Sequence, residues 1–153
     1  METPYLWHTS MEDSTQNKNA YLSFISSNFG NFHCLRVYDG NHEDSNLRTS
    51  LKGIAHNGNV DCLISSTDAP ERAVDTSHLL FVLRKPIDSD MKVTETELKL
   101  LAADVTSSYP VLAVVSDLND SWKILWIQSK HDGRKVVSYV SISFTPHLLT
   151  VIL

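Results

Sequence analysis

An acid and a basic pair on neighbouring predicted strands are the residues of this chain best suited to chemistry. Asp61 lies in the first of these strands, and Arg84 and Lys85 end the second. A helix predicted to begin near Glu95 follows them. A carboxylate ligates divalent cations, and basic side chains bind phosphate. An acid on one strand, a base on the next and a covering helix are typical of a class of sites that cut nucleic acid.

Apolar periodicity and turn residues predict the elements that position these groups. Residues 1–12 are predicted to form a loose N-terminal arm. Helices are predicted over 13–28, 44–55 and from Glu95, and strands over 32–38, 60–65, 78–84, 111–115, 122–128 and 136–144. These elements predict an α+β fold with a mixed β-sheet flanked by helices.

Two features define the predicted helix that follows the basic pair. Thr94 and Glu97 have the spacing of a capping box, in which each side chain bonds a main-chain N–H at a helix start. The side of this helix that is predicted to be buried carries apolar residues at helical spacing, namely Leu98, Leu101, Ala102 and Val105.

Length and charge limit the classes of function. The 153 residues are predicted to form a single domain, 1–153. A formal net charge of −5 argues against a global electrostatic grip on nucleic acid, although a local basic groove stays compatible with it. The chain has no apolar run of the roughly 20 residues that a membrane span needs, so no membrane partner is predicted.

The cysteines and the chain end give two smaller expectations. Cys34 and Cys62 are too few for a disulfide scaffold and are interpreted as ordinary thiols of a reducing compartment. The chain ends HLLTVIL, which leaves open a truncated C-terminus, a domain cut from a longer protein, or a last element packed in the core.

The order strand, strand, helix, strand, strand over Val60–Gln128 resembles the PD-(D/E)xK nuclease-like superfamily. The segment ETELKLLAADVTSSYPVLAVVSDLNDSWKILWI resembles nuclease-like domains of Crinkler-type effectors and related fungal and oomycete proteins. The resemblance covers about residues 44–128. It implies a restriction-endonuclease-like core of helix, three strands, helix and strand, with 44–55 as its first helix.

The resemblance also assigns roles. Asp61 matches the family's first acid, and FVLRKP resembles the next strand, which carries a Glu and, two residues later, a Lys. Here Val82 stands at the Glu position and Arg84 at the Lys position, and a slip of one residue gives Leu83 and Lys85. Neither register supplies the second carboxylate, and one carboxylate alone does not hold Mg²⁺ firmly.

This departure predicts a degenerate, non-catalytic nuclease-like domain that binds a nucleic acid or a protein and needs no cofactor. Asp61, Arg84 and Lys85 are then remnants of a catalytic site, and Arg84 and Lys85 are the candidate nucleic-acid contacts. The resemblance implies an intracellular site of action, in the cytoplasm or the nucleus.

Two alternatives remain. In the first, the chain is an active Mg²⁺-dependent DNA endonuclease in which a displaced acid, such as Glu97, joins Asp61 as a metal ligand. In the second, favoured by the net charge of −5, it is a protein-interaction module with no nucleic-acid role.

Each signal also has an ordinary structural interpretation. Asp61 is equally well explained as an acid at the end of a strand, and the basic pair as a solvated strand end. Glu97 is explained by capping its own helix. Trp122 and Trp126 share a strand face and are expected in the core rather than as platforms for stacking bases.

Overall fold

The computed structural model describes residues 5–7, 15–29, 34–40, 47–51, 54–58, 60–67, 77–83, 89–107, 109–129 and 132–143. Two helices and eight strands occur in these ranges: α1 (Thr15–Phe29), β1 (Leu35–Asp39), β2 (Leu47–Leu51), β3 (Ile54–Gly58), β4 (Cys62–Ser66), β5 (Ser77–Leu83), α2 (Ser89–Thr106), β6 (Leu112–Ser116), β7 (Ser121–Ser129) and β8 (Lys135–Ser143). The predicted α+β class is confirmed.

Six strands form one mixed sheet in the order β1-β4-β5-β6-β7-β8. All neighbouring pairs are antiparallel except β5 and β6, which are parallel. Parallel neighbours need a crossover, and α2 supplies it between β5 and β6. Among the described strands, β2 and β3 form a separate two-stranded sheet.

The two helices pack on opposite faces of the six-stranded sheet. Tyr21 and Ile25 of α1 share one buried cluster with Cys62 and Ile64 of β4. Leu63 lies between those two residues in the sequence and belongs to a second buried cluster, which includes Leu100 and Ala103 of α2. Successive strand residues point to opposite faces, so this alternation fixes a three-layer arrangement of helix, sheet and helix.

The face of α2 that meets the sheet differs from the prediction. Leu100 and Ala103 are buried, whereas Leu98 and Val105 are 41% and 58% exposed. Both stripes have helical spacing, so periodicity alone did not distinguish them. Of the predicted stripe, Ala102 is buried and Leu101 is half-buried, whereas Leu98 and Val105 lie along the outer side of the helix.

The predicted helix over 44–55 is wrong. Residues Leu47–Leu51 and Ile54–Gly58 are antiparallel strands, with Leu51 opposite Ile54. Thr49, Ser50, Gly53 and Ile54 are weak helix formers, and the two-residue interval between the strands suits a hairpin. Spacing of apolar residues was therefore a weaker guide here than residue type.

The turn between β7 and β8 is confirmed. Gly133 of the predicted Asp132-Gly133 turn has φ of +76°, a left-handed conformation that glycine adopts without steric cost. Neither of the helices in the described part of the chain combines the length and apolar character needed to cross a bilayer.

Candidate functional site

The ends of β5 and β6 and the starts of β4 and β7 meet at one edge of the six-stranded sheet. Cys62 is opposite Phe81, so the next position of this antiparallel register sets Asp61 across from Val82. We call this end of the sheet, with Asp39, Asp61 and Asp117, the acidic edge. Carboxyl ends of parallel strands are where ligands bind in many open sheets.

Asp61 immediately precedes β4, and its main chain is fixed from two sides. Its carbonyl oxygen accepts hydrogen bonds from the Gly40 N–H at 3.3 Å and from the Tyr21 hydroxyl at 3.4 Å. The Asp61 side chain is half-buried. Helix α1 and the end of β1 therefore hold the predicted acid in place.

Asp39 reaches the same edge from β1, where it pairs with Cys62. Its carboxylate lies 2.7 Å from the Lys18 ammonium of α1. Burial raises the pKa of the Cys62 thiol, and the negative charges of Asp61 and Asp39 raise it further. A neutral buried thiol is a poor nucleophile, so Cys62 is a core residue.

Asp117 follows β6 and organises the turn into β7. One of its carboxylate oxygens accepts hydrogen bonds from the N–H groups of Asn119 and Ser121, each at 3.0 Å. The intervening Leu118 has φ of 64°, which is uncommon for a residue other than glycine. Because Leu118 is also buried, its packing and the Asp117 bonds together hold this conformation.

The N-terminal segment is bonded to the same turn. The Trp7 indole donates to the Asp117 carbonyl oxygen at 3.1 Å, and the Asn119 amide donates to the Tyr5 carbonyl oxygen at 3.2 Å. The predicted loose arm over 1–12 is therefore wrong for Tyr5 and Trp7, whose aromatic rings pack edge to face at 5.1 Å.

The other predicted site residues have different positions. Arg84 and Lys85 lie outside the described residues. Glu97 is on α2, half-buried, eight residues after the helix begins at Ser89. The capping role of Glu97 is wrong, because a capping box requires its Glu at the third helical position.

The chemistry open to the acidic edge is limited. Asp39 is engaged by Lys18, and Asp117 by the turn amides. Among the described residues no group of three or more His, Cys, Asp and Glu side chains is arranged to hold a metal ion.

Sequence reasoning missed Asp39 and Asp117 as members of this edge. Each was visible only as a turn residue, Asp39 before Gly40 and Asp117 in DLNDS. Their position at the same end of the sheet as Asp61 depends on the pairing of β1 with β4 and on the parallel crossover. Trp122 was predicted as a core residue and is buried, with its indole N–H donating to the Asn119 carbonyl oxygen at 3.0 Å.

The chain is similar to a Crinkler effector. It is 24% identical over 135 residues to Crinkler effector protein 161 of Phytophthora sojae (strain P6497), a match that covers 83% of this chain. The chain spans 30% of the length of that protein. No family model and no solved structure matches the chain.

This similarity agrees with the predicted likeness to Crinkler-type effectors. It carries no statement about nuclease chemistry. Membership of the PD-(D/E)xK superfamily stays a prediction.

Proposed function

We propose that this chain is a nuclease-like domain of a Crinkler-type effector that binds its target without hydrolysing it. The similarity to a Phytophthora Crinkler effector supports the effector assignment. By that analogy, the site of action is the cytoplasm or nucleus of a host cell. The target is a nucleic acid or a protein.

The element order supports the nuclease-like scaffold. Helix α1 is followed by β1, β4 and β5, which are antiparallel neighbours, then by α2 and the parallel strand β6. This is the order of helix, three strands, helix and strand that the resemblance implies, with β2 and β3 inserted between the first two core strands. The first core helix is then α1 rather than 44–55.

One relationship carries the non-catalytic part of the proposal. Asp61 precedes the middle core strand, and extending the register by one position beyond Cys62 opposite Phe81 puts Val82 across from it. Val82 stands where the resemblance places the second acid. A valine side chain has no oxygen for a metal, so position 82 does not supply the second carboxylate that Mg²⁺ binding requires.

Rebuilding the missing acid tests the scaffold. We expect Val82→Glu to bind Mn²⁺ at least about tenfold more tightly than the wild-type chain, as measured by calorimetry, because it adds a second carboxylate beside Asp61. The gain should disappear in Val82→Glu combined with Asp61→Ala. Leu83→Glu is the matched control, because adjacent strand residues point to opposite faces. Equal gains in the two Glu variants would contradict the nuclease-like geometry.

A plasmid assay tests the absence of catalysis. With Mg²⁺ or Mn²⁺, the wild-type chain should leave supercoiled DNA intact, as should Asp61→Ala. Asp132→Ala, at the exposed β7–β8 turn, is the control. Cutting that disappears in Asp61→Ala and persists in Asp132→Ala would instead support the active Mg²⁺-dependent endonuclease.

Salt titration distinguishes the two classes of target. When a protein binds DNA through phosphate contacts, the logarithm of the association constant falls linearly with the logarithm of the salt concentration. A negative slope that Arg84→Ala and Lys85→Ala reduce would assign nucleic acid as the target. If the chain does not bind DNA at low salt, a protein is the expected target.

A further inference from the structure

Strand β8 forms one border of the six-stranded sheet. It pairs with β7 in an unbroken antiparallel register from Ser121 opposite Ser143 to Ser129 opposite Lys135. None of the described strands pairs with its other side. Its 9 residues extend over about 30 Å and present a row of main-chain donors and acceptors.

This edge has little of the protection that natural edge strands usually carry. The segment KVVSYVSIS contains no proline, and its one charged residue, Lys135, lies at its first position. The ammonium of Lys135 is bound by the Asp104 carboxylate of α2. The β7–β8 register has no bulge that would twist the edge away. Long, uncharged edges are templates for another strand.

The side chains at the centre of β8 are apolar and exposed. Tyr139 is 56% exposed on the α2 side, and Val140 is 42% exposed on the α1 side. The Lys123 ammonium lies 4.8 Å from the centroid of the Tyr139 ring, which restrains that ring. An added strand would cover apolar surface on both faces of the sheet at once.

We propose that β8 pairs antiparallel with β8 of a second copy of this chain, about a two-fold axis at Tyr139. The strand is self-complementary in this register: Tyr139 faces its own copy, Ser138 faces Val140, and Lys135 faces Ser143. The two copies of Lys135 then lie about 27 Å apart, so no like charges of the two β8 strands oppose each other. Val140 meets its own copy on the diagonal.

Whole-molecule charge gives this interface a distinctive salt response. Each copy carries a formal net charge of −5, so the copies repel at low ionic strength. Added salt screens that repulsion and strengthens association. DNA binding has the opposite dependence on salt. The self-association is independent of the proposed function, and the two can fail separately.

Sedimentation equilibrium over the micromolar range tests the association. The wild-type chain should form a dimer whose dissociation constant falls as NaCl rises. Val140→Lys should raise that constant at least about tenfold, because it puts charges next to each other at the axis. Val105→Lys, the same change at an exposed valine of α2, should leave it unchanged. Ser141→Lys is a second edge variant in case Val140→Lys does not fold.

Cysteine crosslinking tests the register. In a Cys34→Ser background, Tyr139→Cys should form a disulfide-linked dimer under mild oxidation, because directly opposed residues lie within disulfide range. Val137→Cys should not, because the two copies of residue 137 would be about 13 Å apart. Any of three results would overturn the proposal. The chain stays monomeric at every concentration, the dimer is insensitive to both Val140→Lys and Ser141→Lys, or the cysteines at 137 and 139 crosslink equally.

Discussion

A Cβ atom at position 40 would lie 2.1 Å from the carbonyl oxygen of Val60, so Gly40 passes Val60 at a distance that only glycine allows. The contact is with main chain, which cannot rotate away as a flexible side chain can. The Gly40 N–H also donates a hydrogen bond to the Asp61 carbonyl oxygen, so this close approach helps to position the acidic edge.

Gly40→Ala should therefore destabilise the chain by roughly 2–4 kcal/mol, measured by urea denaturation. Gly133→Ala is the matched control, because nothing lies within 4 Å of a Cβ there. The loss of unfolding free energy in Gly133→Ala comes from the positive φ alone and should be about 1–2 kcal/mol. Equal effects of the two alanines would show that the contact with Val60 is relieved at little cost.

The β6–β7 turn should depend on the Asp117 carboxylate. Asp117→Ala leaves the N–H groups of Asn119 and Ser121 without their acceptor, at an expected cost of about 2 kcal/mol in unfolding free energy. Asp117→Asn keeps an oxygen and should lose less. Asp132→Ala removes a similar bond, to the Arg134 N–H, at an exposed turn, where a loss below about 1 kcal/mol is expected.

Alkaline pH should destabilise the chain through Cys62. Burial raises the pKa of this thiol above its ordinary value of 9.0, so the folded chain keeps a proton that the unfolded chain loses. The stabilisation is present below pH 9 and declines as pH rises further, with a slope that approaches about 1.4 kcal/mol per pH unit above pH 10. Cys62→Ala should remove this slope between pH 9 and 10.

Above pH 10, Tyr5 should add a slope of the same sign. Burial raises the pKa of its hydroxyl above 10.0, and Cys62→Ala leaves that contribution in place. A slope between pH 9 and 10 that is identical in Cys62→Ala and the wild-type chain would contradict the assignment to the thiol.

The ion pair between Lys18 and Asp39 should contribute little to stability. Their side chains are 29% and 31% exposed, so water screens much of the attraction. A double-mutant cycle with Lys18→Met and Asp39→Asn should give a coupling of about 0.5–1 kcal/mol that decreases with salt. The exposed pair of Arg134 and Asp132 should give a coupling close to zero.

Local signals predicted most of the strands. The order from β4 to β8 was visible in apolar runs bounded by turn residues, and the Asp132-Gly133 turn has the backbone expected of it. The start of α2 was misplaced because Thr94 and Glu97 have capping-box spacing but lie inside a helix that begins at Ser89. Local spacing alone does not show whether such a pair caps a helix.

Long-range pairing accounts for what was missed at the site. Asp39 and Asp61 are neighbours because β1 pairs with β4 across the inserted β2–β3 sheet, and no local pattern encodes that choice. Val82, by contrast, was selected from its distance to Pro86 alone, and its place in a nuclease-like motif stays a prediction. A motif with internal spacing is readable in a single sequence, whereas a constellation assembled by topology is not.

The bonds from Tyr5 and Trp7 to the β6–β7 turn also constrain how the chain matures on the ribosome. Tyr5 and Asn119 are 114 residues apart, so translation at about 5–20 residues per second separates their synthesis by roughly 6–23 s. During that interval the β6–β7 turn that bonds the Tyr5 carbonyl and the Trp7 indole has not been made. Tyr5 and Trp7 therefore form these native hydrogen bonds only after residues 117–119 have been synthesised.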